Sequence, residues 1–129
     1  EHIHAGMDAM KIRQHLQRRT GATHAAAWMN AEGEIELVRE DVGRHNALDK
    51  LIGAMSSRRI DFGIGAALVT SRASYEMVQK AATLGIGLLA AISAPTGLAI
   101  DLAQRSGVTL CGFVRDGRAN VYTEPWRIA

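Results

Sequence analysis

Between Ala9 and Arg19 the apolar residues Met10, Ile12 and Leu16 stand among Lys11, Arg13, Arg18 and Arg19, a spacing that predicts one amphipathic helix ending before Gly21. Residues 24–41, HAAAWMNAEGEIELVRED, carry two short apolar segments around Asn30-Ala31-Glu32-Gly33, which predicts a β-hairpin with a glycine in its turn. Ile35 and Val38 do not alternate cleanly, so the pattern leaves the register of this hairpin open. In VGRHNALDKLIGAM, Leu48, Leu51, Ile52 and Met55 repeat at helical spacing and predict a helix with one buried stripe.

The remaining chain alternates in kind. GAALVTSRASYEMVQKAATLG reads as a buried strand, a polar loop and a helix with Met77, Val78, Ala81 and Leu84 inward. IGLLAAISAPTGLAIDLAQRSG repeats that plan, with Pro95 near the helix start and Ser106-Gly107 at its end. VTLCGFVRDGRANVYT predicts two strands joined at Asp116-Gly117. Strands alternating with helices predict an α/β fold, a three-layer sandwich whose mixed, largely parallel sheet is covered on both faces. The chain of 129 residues divides into an N-terminal helix and tail, 1–19, and one globular domain, 20–129.

Composition narrows the function classes. Apolar residues make up 47% and aromatics only 5%, and the abundance of alanine and glycine predicts close helix-on-sheet packing. A net charge of +2 and a pI near 9.1 fall short of a nucleic-acid-binding surface and suit an anionic small ligand. The apolar run from Gly85 to Ile100 is broken by Ser93, Pro95, Thr96 and Gly97, which argues against a membrane span. Cys111 is the single cysteine, which fits a reducing, cytoplasmic compartment, and no signal peptide is evident. The chain starts at Glu1 rather than Met, which fits a piece of a longer protein.

Candidate chemistry concentrates at strand-to-helix junctions. With Leu48 centred on its helix stripe and about 100° per residue, Arg44 falls about 40° to one side and His45 about 60° to the other. Both are then expected on the core-facing side of the first turn, above the carboxyl ends of the strands, where open α/β sheets bind ligands. The alternative is that Arg44 pairs with Glu40 or Asp41 while His45 caps local structure. Thr70 to Ser74 and Ser93 to Thr96 open on the same edge and are rich in hydroxyls. Arg72 adds a planar fork for a phosphate, whereas Ser71, Ser74 and Ser93 are equally suited to ordinary N-capping. Arg115 and Arg118 flank the last turn. Gly63–Gly65 and Gly85–Gly87 precede strands and lack a third glycine, so neither is a dinucleotide fingerprint. His2 and His4 sit at a chain end without a third ligand, no CxxC or HxE is present, and no zinc is expected.

Together, TGATHAAAW, REDVGRHNALDK, TSRASYEMVQKAA, ISAPTGLAIDLA and TLCGFVRDGRANVYT resemble the formate dehydrogenase accessory sulfurtransferases of the FdhD family, from Thr20 to about Thr123. The resemblance implies a cytidine-deaminase-like fold, a homodimer, and the passage of sulfur from a cysteine desulfurase to the Mo-bis(molybdopterin guanine dinucleotide) cofactor before its insertion into formate dehydrogenase. It also implies that a CxxC loop carries the sulfur and that this domain binds the guanine nucleotide part, for which GDP is a mimic. Because CxxC is absent, the chain resembles the family's C-terminal domain, with no catalytic residue of its own. The cofactor-binding set implied is Arg44, His45, Asn46, Ser71, Arg72, Ser74, Ser93 and Thr96, with Phe113, Val114, Arg115, Asp116, Gly117 and Arg118 from the last hairpin. A zinc-free deaminase-like nucleotide module and a protein-docking module using Lys11 to Arg19 are the other readings.

Overall fold

A computed structural model of the chain describes residues 24–115 and 118–123, with backbone alone for 113–115, 118 and 119. The helix expected at Ala9–Arg19 and the turn residues Asp116 and Gly117 lie outside the described residues. In order come β1 (His24–Met29), β2 (Ile35–Asp41), α1 (Arg44–Ser57), β3 (Ala66–Val69), α2 (Tyr75–Leu84), β4 (Leu88–Ala91), α3 (Gly97–Ser106), β5 (Thr109–Arg115) and β6 (Arg118–Thr123).

The strands form one six-stranded sheet in the order β2-β1-β3-β4-β5-β6. β1 is antiparallel to both β2 and β3, so β2 and β3 run the same way. β3, β4 and β5 are parallel neighbours, and β6 returns antiparallel. Four of the six strands therefore share a direction, the mixed and largely parallel sheet that the element pattern predicts. The unsettled register of the first hairpin has a local cause: a bulge sets Trp28 opposite Leu37 but Met29 opposite Ile35. Glu36 is the residue passed over, and beyond it the alternation changes phase.

Three helices connect the like-directed strands, each crossover advancing the same way across the sheet. Crossovers of one hand and one direction all land on one face. Accordingly Leu48, Leu51 and Met55 of α1, Met77, Val78 and Ala81 of α2, and Ala99 and Ala103 of α3 share a single core with Trp28, Val69, Leu89 and Leu110. All three described helices pack on this face. The other face, with Ala25, Ala27, Leu68, Ala90 and Cys111, is just as buried, yet no described helix packs on it. Leu84 also departs from its expected inward position and is 36% exposed. The chain reverses at Gly85, and Ile86, whose N–H donates to the Ala81 carbonyl over 2.9 Å, fills that core position instead.

Alanine in the strands, seven residues across β1, β3 and β4 at no more than 2% exposure, lets helix side chains sit close to the sheet. Closeness reaches a limit at Gly65, with φ of +137°, where an added Cβ would collide with the Met29 carbonyl oxygen and lie 2.8 Å from the Trp28 ring. Gly65→Ala is expected to lower stability by about 2–4 kcal/mol through that collision and the unfavourable φ. Urea denaturation of the two proteins measures it, and an unchanged midpoint would show that the backbone at Gly65 yields freely.

Candidate functional site

The shared strand direction brings the ends of β2, β3, β4 and β5 to one edge of the sheet, together with the starts of α1, α2 and α3. The junctions are stitched to one another in sequence along that edge. The Thr70 hydroxyl accepts from the Ala25 N–H at 2.9 Å, and the Thr70 N–H donates back to the Ala25 carbonyl at 3.1 Å, locking β3's exit to β1's entry. Ile92 N–H donates to Val69 at 3.2 Å and Thr96 N–H to Ala73 at 3.1 Å, joining the β4–α3 loop to the β3–α2 loop. At Gly112 an added Cβ would lie 2.7 Å from Pro95 Cδ and 3.2 Å from the Ser93 carbonyl oxygen. Only a bare Cα lets β5 approach the Ser93–Pro95 turn this closely.

Within this edge the expected side chains divide by what they already do. Ser74 and Thr96 are the N-caps of α2 and α3, accepting from Met77 N–H at 3.4 Å and Ala99 N–H at 3.1 Å, so structure accounts for their hydroxyls. Ser71 is buried, its hydroxyl donating to the Arg72 carbonyl at 3.1 Å and lying 3.9 Å from Met77 Sδ. The Asn46 side chain lies beside Gly43, at the start of α1, and helps lower the Asp41 carboxyl. Arg44, His45, Arg72 and Ser93 are different. Among the described residues none of their side chains has a hydrogen-bond or ion-pair partner.

Arg44 is exposed and His45 half-buried, and neither belongs to the buried core beneath α1. α1 starts at Arg44 itself, so its first turn overhangs the sheet edge and has no core beneath the arginine. The pairing of Arg44 with Asp41 is not formed either. Lys50 takes that carboxylate at 2.7 Å, and the Gly43 N–H donates to its other oxygen at 3.0 Å. Gly43 is the N-cap of α1 and offers no side chain, so this helix, unlike α2 and α3, starts without a side-chain acceptor. Free first-turn N–H groups beside Arg44, with Arg72 at the next junction, give the edge a positive character suited to an oxyanion.

The last hairpin joins the same edge, with Arg115 and Arg118 paired across the ends of β5 and β6. For Phe113, Val114, Arg115 and Arg118 only the backbone is described, and Asp116 and Gly117 lie outside the described residues. Cys111 is fully buried in the opposite sheet face, and burial pushes its thiol up to about 11. A neutral, inaccessible thiol is a poor nucleophile or sulfur carrier. Among the described residues no group of three or more His, Cys, Asp or Glu is placed to hold a metal, and no helix is long and apolar enough to cross a membrane. The sequence pattern missed His24, which enters the edge because β1 runs antiparallel to its neighbours and starts there.

The FdhD/NarQ family profile matches residues 1–129. A protein from Cupriavidus necator named sulfur carrier protein FdhD is 60% identical over 126 residues, 98% of this chain and 44% of its own length. Its counterpart of the same name in Xanthomonas euvesicatoria is 62% identical over 122 residues, 95% of this chain and 43% of its own length. The chain thus spans less than half the length of these curated relatives. A crystal structure from Desulfotalea psychrophila, of a protein described as a formate dehydrogenase accessory protein, superposes with a TM-score of 0.92 at 34% identity. That match covers 99% of this chain and 57% of the other.

Asp41 organises the α1 junction, and its ionisation reports on it. The Gly43 N–H first, then Lys50, hold its carboxyl down at about 2, below the ordinary 3.8. A carboxyl lowered on folding stabilises the protein above its ordinary value and loses that contribution as pH falls toward the lowered one. Asp41→Asn is therefore expected to be less stable than the parent near neutral pH. The gap should close as pH falls from about 4 toward about 2. Denaturation midpoints across that range measure it; a gap independent of pH would remove the carboxylate from the account.

Proposed function

This chain belongs to the FdhD/NarQ family, and on that footing we propose that it is the nucleotide-cradling part of a sulfur carrier serving the maturation of formate dehydrogenase. The observation that carries the proposal is the pair Arg44 and Arg72, unpartnered among the described residues, at successive strand-to-helix junctions, the first beside a helix start with no side-chain cap. Guanidinium forks and free backbone N–H groups are the donor set that a diphosphate needs.

The substrate of the reading is Mo-bis(molybdopterin guanine dinucleotide), whose phosphates and guanine nucleotide supply the anionic and aromatic parts. In it Arg44 and Arg72 hold the phosphates, His45 and Ser93 add polar contacts, and residues 113–118 supply the further cofactor contacts that the resemblance implies. Ser71, Ser74, Thr96 and Asn46 shape the junctions and leave the contacts to the free side chains. Sulfur itself is assigned to a CxxC pair that this sequence does not contain, since the buried Cys111 cannot replace it. A cysteine desulfurase as donor, formate dehydrogenase as the recipient of the sulfurated cofactor, a homodimer, a cytoplasmic location and a cytidine-deaminase-like scaffold complete the proposal. The hairpin-first sheet with helix starts crowded at one edge supports that scaffold.

Titration calorimetry with GDP tests the reading. The chain is expected to bind GDP, and Arg72→Ala or Arg44→Ala to weaken binding by about 1.5–3 kcal/mol, the worth of a hydrogen bond to a charged group. Absence of binding, or binding indifferent to both substitutions, would overturn the proposal.

A further inference from the structure

His24 opens β1 at the same edge, and the sheet fixes where its side chain goes. Ala26 and Trp28 belong to the core under the helices, whereas Ala25 and Ala27 belong to the opposite face. Alternation along the strand therefore puts His24 on the helix side. Its cross-strand partner in β2 is Asp41, on the same face, and Asp41 reaches Lys50 of α1. On the other flank β1 pairs with β3 as far as Ala26 with Val69, and the two bonds between Ala25 and Thr70 carry the pairing one residue further. Continued by one more position, that register would set His24 level with Ser71, at the head of the loop that carries Arg72. His24 thus lies between the start of α1 and the junction before α2, the two places where the unpartnered arginines stand.

The imidazole is half-buried, and among the described residues neither ring nitrogen has a hydrogen-bond or ion-pair partner. Its neighbours are already committed: Asp41 to Lys50 and Gly43, and Ser71 to the Arg72 carbonyl. The backbone around it is pinned on both sides, which fixes the point from which the ring projects. A neutral imidazole always has one N–H to give. With no partner among the described residues, that N–H is available to a ligand at the edge.

We infer that His24 is a further ligand-binding residue of this edge, donating its ring N–H to a phosphate oxygen of the nucleotide held by Arg44 and Arg72. The inference rests on the nucleotide reading and extends it to a strand that the sequence pattern leaves out. Its test uses the whole protein, including the part beyond this chain, with GDP as the probe. His24→Ala is expected to weaken GDP binding about tenfold or more while the thermal midpoint holds. His24→Gln, which keeps an N–H donor, should recover most of the loss. In the unsubstituted protein GDP should shift the proton resonances of the His24 ring, a response that a purely structural residue remote from the ligand would not give. Full GDP affinity in both variants, with an unmoved ring signal, would overturn this inference and leave the arginine site standing. No GDP binding by the unsubstituted protein would instead bring down the nucleotide reading and this inference with it.

Discussion

One constraint governs the molecule: every helical connection crosses the same face of the sheet and advances the same way. Because β2, β3, β4 and β5 share a direction, their carboxyl ends cannot be spread over the surface. They fall on one edge, and each helix that follows starts there. Partial positive charge at helix starts and cationic side chains in the first turns are thereby added at one place. The positive edge is a consequence of handedness before it is a consequence of which residues occupy it.

The same constraint divides labour among the polar residues. A junction packed against its neighbours needs its own hydrogen bonds satisfied, and Ser74, Thr96, Ser71 and Thr70 do this locally. Gly112 removes the side chain that would otherwise hold β5 away from the Ser93–Pro95 turn. With the frame satisfied by short polar side chains, the long cations Arg44 and Arg72 have no partner among the described residues. An edge whose structural bonds are already made can bind a ligand without giving up its own stability. The exception is the Asp41–Lys50 pair, an anion kept at the edge because it fastens β2 to α1 through the Gly43 N–H.

Much of this was legible in the amino-acid order, because buried strands and amphipathic helices impose periods that survive in sequence. The stripe Leu48, Leu51, Met55, the hairpin around Gly33 and the strand pair flanking Asp116-Gly117 all appear where their spacing indicates. What was not legible depends on pairing between distant segments. Periodicity could not show that Lys50, rather than Arg44, would meet Asp41, since that depends on where α1 starts relative to β2. Nor could it place His24, whose relevance arises only from the antiparallel insertion of β1 between β2 and β3. Hydroxyls in the loops were ambiguous for a related reason: a capping serine and a ligand-binding serine look alike until the helix start is fixed.

The central claim is spatial, that one edge of this sheet holds a guanine nucleotide by its phosphates. A crystal structure of the whole protein with GDP tests it most directly. The account predicts the diphosphate at the carboxyl edge, within hydrogen-bond reach of Arg44 and Arg72. A nucleotide bound elsewhere, such as the opposite edge around the exposed Ile64 and Leu84, would contradict it.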